Sequence, residues 1–174
     1  ELPEHNGGSG VTGFKIWAEA DANGAWFIAL ELAGSDLNTT AVSGLIGYTE
    51  YRFQVQAVNV VGAGAKSGAS NPVRTLPVPP FAPGTPNTSD VQQHELELVW
   101  SAPFKDSGYA IVNHRMKYRS IDSADWAVLD TDSATSTYLL TGLTGNTVYF
   151  FSVAGINALG VGSWSPIGQQ LTAP

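Results

Sequence analysis

Tyr138 to Gly162 reads YLLTGLTGNTVYFFSVAGINALGVG, and Thr40 to Gly64, 98 residues earlier, reads TAVSGLIGYTEYRFQVQAVNVVGAG. Ten of the twenty-five positions are identical: Gly44/Gly142, Leu45/Leu143, Gly47/Gly145, Thr49/Thr147, Tyr51/Tyr149, Phe53/Phe151, Val55/Val153, Asn59/Asn157, Gly62/Gly160 and Gly64/Gly162. A self-match at this spacing means two copies of one domain. In the longer strand of each copy, Tyr51, Phe53, Val55 and Ala57 alternate with Arg52, Gln54 and Gln56, which predicts one apolar and one wet face.

Before the first copy of this stretch, Val11 to Ala20 also alternates. Phe14, Ile16 and Ala18 fall on one face, and Lys15, Trp17 and Glu19 on the other. Asn23-Gly24 predicts a tight turn into a second strand, Ala25 to Leu32. Thr39 to Leu45 is expected as a short strand, and Asn71 to Thr75 as the last. In the second copy the expected strands are Glu95–Trp100, Ile111–Arg119, Thr137–Leu143, Tyr149–Asn157 and Trp164–Thr172. No segment of adequate length carries helical apolar spacing, so the class is all-β. Leu76 to Pro86 holds five of the ten prolines and reads as a semi-rigid connector. The domain boundary is placed there, giving domains 1–77 and 78–174.

Composition excludes several function classes. Net charge is −7 and is shared by both copies, so no basic face for nucleic acid is expected. No apolar run approaches the ~18 residues of a membrane span. There is no cysteine, which removes disulfides, thiolate metal sites and thiol catalysis together. Gly7, Gly8 and Gly10 are not followed by the Lys-Ser/Thr that a phosphate loop needs. Asp130-Thr131-Asp132-Ser133 lacks the central Gly and closing Glu of a calcium loop. His5, His94 and His114 show no ligand spacing. No G-x-S-x-G elbow occurs. The expectation is no enzyme, no metal and no cofactor.

The second copy resembles a fibronectin type III domain along essentially its whole length. The resemblance rests on Pro80-x-x-Pro83, Trp100, Ile111 with Tyr118-Arg119, Leu143-Thr-Gly-Asn-Thr-Val-Tyr149, Phe151-x-Val-x-Gly-x-Asn157 and Gly160-x-Gly-x-Trp-Ser-Pro166. The first copy looks like the same family from Gly8-x-x-Val11 onward. The resemblance implies two immunoglobulin-like, seven-stranded β-sandwiches in tandem, with strands A, B and E facing C, C′, F and G. It also implies that Leu45/Tyr51 and Leu143/Tyr149 form tyrosine corners and that Trp100 is a core residue. These five are expected to be structural. His114 stands where the family usually has an aromatic residue, which is Phe14 in the first copy.

At the offset of 100 that aligns Phe14 with His114, Leu2-Pro3-Glu4 falls on Ala102-Pro103-Phe104. Counterparts of Pro80 to Trp100 are therefore missing from the first copy, which is expected to be N-terminally truncated, without its A and B strands. Three readings stay open: a trimmed piece of a longer multidomain chain, A and B strands retained as a cleaved peptide, or strands supplied by another molecule. Neighbouring domains of the parent chain or a strand-donating segment are the expected partners.

Other candidates sit on loops and outer faces. Arg-Gly-Asp is absent from both F–G loops; Leu129-Asp130-Thr131 resembles short acidic integrin-ligand motifs, over only three residues. Trp17 is a candidate partner surface, and Trp164 is expected to stack on the cations of strand C. Asn38 and Asn87 head glycosylation acceptor triplets. The functional expectation is a non-enzymatic structural, adhesive or protein-interaction segment of a larger extracellular or cell-surface protein. The alternatives are an accessory spacer of a secreted polysaccharide-degrading enzyme and an intracellular cytoskeletal scaffold.

Overall fold

The computed structural model describes residues 8–34, 39–105 and 107–174, and the chain divides into two compact units, Glu1–Leu76 and Pro77–Pro174. Every regular element among the described residues is a β-strand, as the alternation predicts.

In unit 2, β6 (Asn87–Val91), β7 (Glu95–Val99) and β10 (Thr137–Thr141) form one antiparallel sheet in the order β10-β7-β6. The opposing sheet holds β8 (Asn113–Ser120), β9 (Ala127–Asp130), β11 (Val148–Asn157) and the two edge pieces β12 (Gly160–Val161) and β13 (Gly168–Leu171). These are the A, B, E and C, C′, F, G sets that the resemblance implies. Alternation explains the layering, because successive strand side chains point to opposite faces. Leu96, Leu98 and Trp100 from the β7 segment thus meet Met116, Tyr149, Phe151 and Val153 from β8 and β11, with Leu140 and Leu143 closing the side. Fully burying one such side chain contributes roughly 1.5–3 kcal/mol, an upper figure because the unfolded chain is already partly compact.

Unit 1 is built on the same plan with one sheet. β1 (Val11–Ala20) lies between β2 (Trp26–Ala33) and β3 (Glu50–Asn59), and β3 also pairs with β4 (Ala63–Lys66) and β5 (Val73–Arg74). No second sheet forms among its described residues.

Two local expectations are corrected. The expected strand at 39–45 does not form among the described residues there. Its counterpart β10 is a strand because five residues pair with β7, and no such partner forms among the described residues of unit 1. The turn between β1 and β2 lies two residues earlier than Asn23-Gly24. Asp21 and Ala22 both adopt φ near +50°, and Asn23 N–H donates to Ala20 O at 3.3 Å. Gly24 N–H donates instead to the Glu19 carboxylate at 2.6 Å, and Asn23 Oδ1 accepts Ala25 N–H at 2.9 Å. The polar side chains thereby take up the donors that a turn at Asn23-Gly24 would have placed in solvent.

Candidate interaction surfaces

The corner is the same in both units, bond for bond. Tyr51 Oη accepts Ile46 N–H at 3.0 Å, and Tyr149 Oη accepts Thr144 N–H at 3.0 Å. Thr75 Oγ1 accepts Thr49 N–H and donates to Ile46 O at 2.7 Å; Thr172 Oγ1 does the same with Thr147 and Thr144. Each tyrosine buries its ring while its hydroxyl satisfies a donor at the bend. Tyr51, Tyr149, Leu143 and Trp100 are buried and Leu45 is half-buried. Gly44 and Gly142 hold φ of +74° and +75° beside these leucines, where a side chain would be strained.

The units differ on the inner face. In unit 1 an open cleft of about 370 Å³ is lined by Ile16, Val42, Leu45, Tyr51 and Phe53, with Arg74 on its wall. Shifted by the repeat, these five are Met116, Leu140, Leu143, Tyr149 and Phe151, all members of the unit 2 core. The cleft is that core without Leu96, Leu98 and Trp100. Along the same strand Val55 is 42% exposed, whereas Val153 is 0% exposed. This exposure is invisible to alternation, which assigns Val55 to an inner face without saying what covers it.

The outer faces are occupied by cation–π contacts. Lys66 Nζ lies 3.3 Å from the centre of the Trp17 ring, and Trp17 Nε1–H donates to Gln56 Oε1 at 3.0 Å. The half-buried Trp17 is thus covered on one side by unit 1 itself. In unit 2, Lys117 sits over both Trp126 and Trp164, and Arg119 over Trp126 and Phe150. The register of β8 and β9 sets Arg115 opposite Asp130, and the guanidinium grips the carboxylate through two bonds of 2.7 and 3.0 Å. That contact holds the Asp130 carboxyl below its usual range. The acid of Leu129-Asp130-Thr131 is therefore already engaged. Sequence spacing alone gave no hint of this pair, fifteen residues apart; only the hairpin register does.

His114 is buried in the unit 2 interior, its ring edge-on to Trp100 at 5.1 Å. Nδ1 lies 3.2 Å from Ser133 O, which can only accept, so Nδ1 carries the proton of the neutral ring. Burial pushes its pKa below the usual value, against a smaller upward pull from Ser133. Trp100 Nε1 is buried without a hydrogen-bond partner among the described residues. Asn87 is exposed at the start of β6, whereas Asn38 lies outside the described residues. No group of three His, Asp or Glu among the described residues could hold a metal ion. No helix among them is long and apolar enough to cross a membrane.

Comparison with known proteins agrees with this geometry. The chain is 29% identical over 98% of its length to M-protein of striated muscle from Gallus gallus, and 31% identical over 76% to protein sidekick-1 from the same organism. It spans 12% and 6% of those two proteins. Among solved structures it superposes on the chicken CNTN1 FN1–FN3 domains with a TM-score of 0.67, at 21% identity, covering 97% of this chain and 59% of that one. The fibronectin type III domain model matches residues 81–170, from the segment before β6 into β13, and the chain belongs to that family.

Proposed function

We propose that this segment is a non-enzymatic, protein-interacting spacer of a larger extracellular or cell-surface protein. The carrying observation is the division of labour in its side chains. The buried polar and aromatic groups close turns and corners, while the contact surface sits on sheet faces and exposed edges. Such surfaces suit recognition of extended chains and neighbouring domains rather than turnover of small molecules. The first unit is read as strands C to G of a sandwich, residues 1–77, and the second as a complete sandwich, residues 78–174.

An intracellular scaffold is the second reading, favoured by the similarity to a protein named for striated muscle. An antibody against unit 2 decides between them. Staining of unpermeabilised producing cells is expected. Staining that requires permeabilisation would move the segment inside the cell.

A further inference from the structure

We infer that the free edge of β2 is a self-pairing site. A second copy of this chain adds its own β2 there, antiparallel and across a two-fold axis, joining the two unit 1 sheets into one. The inference names a partner for the protein-interaction reading above and rests on that reading.

The edge is long and little protected. β2 ends the sheet order β2-β1-β3-β4, so its outer side has no strand beside it among the described residues. Its counterpart β9 likewise ends the order β12-β11-β8-β9 in unit 2, where a second sheet is present. The edge position therefore belongs to the strand and does not depend on what packs against the sheet. β9 has only four residues and ends in Asp130, whereas β2 has eight. Natural edges are blunted by shortness, Lys, Pro or inward-pointing charge. Trp26–Ala33 reads WFIALELA, with Glu31 as its one charged residue, and Lys15 already holds that carboxylate at 3.0 Å. Ile28 stands on the outer sheet face opposite Trp17 and is 41% exposed.

The register names the occupant. β1 pairs Ile16 with Leu30 and Trp17 with Ile28, so Ala29 is an extra residue, a β-bulge in the edge strand. Phe27, Leu30 and Leu32 lie opposite Ala18, Ile16 and Phe14 on one face; Trp26, Ile28, Glu31 and Ala33 lie on the other. A bulge twists the edge away from an ordinary straight strand, but a second β2 carries the same bulge. About a two-fold axis between Ala29 and Leu30, Trp26 meets Ala33, Phe27 meets Leu32 and Ile28 meets Glu31 of the second copy. Each of these pairs shares a face, as opposed residues of antiparallel strands must. Without the extra residue the same centred pairing would set each side chain against the opposite face. No like charges meet, because Glu31 faces Ile28. The net charge of −7 on each chain opposes the pairing, and salt screens that repulsion.

Sedimentation equilibrium and NMR amide exchange on the full 174-residue chain, from micromolar to millimolar concentration, test this. A monomer–dimer equilibrium that tightens with added salt is expected. Amide protection should grow with concentration at 26–33 and not at Ala63–Lys66, the other edge of the sheet. Ile28→Glu sets a carboxylate against Glu31 of the second copy, whereas Ile28→Lys sets an opposite charge there. The first variant should dimerise at least about tenfold more weakly than the second. Within one chain the ranking is the reverse, since Lys66 lies over the neighbouring Trp17 and favours the glutamate, so misfolding does not imitate the result. A chain that stays monomeric at millimolar concentration would leave the edge to some other protein and overturn the inference. So would equal dimerisation of the two variants, protection confined to Ala63–Lys66, or association that salt weakens. The antibody experiment above is independent of all these outcomes, so a monomeric chain leaves the placement of the segment untouched.

Discussion

Val55 and Val153 occupy the same position on the same strand of two copies of one domain, and one is 42% exposed while the other is sealed in a core. The residue type is constant, so the environment alone should set the cost of losing it. Val153→Ala removes two buried methyl-sized groups, at ~0.8 kcal/mol each, and leaves a cavity. It should cost about 2 kcal/mol or more. Val55→Ala should cost well under about 1 kcal/mol. Native-state hydrogen exchange on the whole chain, resolved by unit, reads both values at once. Equal costs would mean that Val55 is covered in solution.

The repeated corner supports a second pairwise comparison. Tyr149→Phe strands the Thr144 N–H and Tyr51→Phe strands the Ile46 N–H; Thr144 and Ile46 are both exposed, so water can replace either hydroxyl. Each change should therefore cost its own unit a similar amount, about 1 kcal/mol. Denaturant unfolding followed by tyrosine-specific signals for each unit checks the equality; a much larger loss in one unit would mean that its corner is closed to water.

Unit 2 should lose stability in mild acid through His114. Its folded pKa lies below the ordinary value of 6.5 because the ring is buried. Above that value both states are neutral and nothing is lost. As pH falls below about 6.5 the unfolded state takes up a proton that the folded state resists. Stability then declines until the folded pKa is passed. The groups around the ring, Asn113, Thr131, Ser133 and Trp100, carry no charge that would offset this. His114→Gln should flatten the decline between pH 7.5 and 5, measured as urea midpoints. An unchanged slope would assign the acid sensitivity to other groups.

Ala22 sits at φ +50° in the β1–β2 turn, a conformation that costs an L-residue roughly 1–2 kcal/mol. Glycine adopts it freely but loses more chain entropy on folding. Ala22→Gly should stabilise unit 1 by up to about 1 kcal/mol. A lowered melting temperature would mean that the turn is held elsewhere.

Most of the framework was legible because it repeats. The strands around Tyr51 and Tyr149 follow from alternation and the self-match, and the corners from the family resemblance. The misses share a physical cause. Residues 39–45 have strand composition, but a strand exists only when something pairs with it, and the partner lies outside the local pattern. The hairpin turn moved because Glu19, five residues from Gly24, competes for its N–H. The Arg115–Asp130 grip and the Lys66 cover on Trp17 depend on register, which neither local propensity nor spacing encodes.

The corner of unit 1 closes through residues 46 to 75, and it is intact although no second sheet forms among the described residues of that unit. In kinetic terms, the clasp between Tyr51, Thr49 and Thr75 needs nothing from the A–B hairpin. The homologous hairpin β6–β7 in unit 2 can therefore arrive last, onto a finished sheet. A late-docking hairpin contributes little to the folding transition state and much to the unfolding barrier. Weakening Leu96 or Leu98 should then speed unfolding of unit 2 while leaving its folding rate nearly unchanged. The lifetime of the sandwich, rather than its formation, would rest on that hairpin.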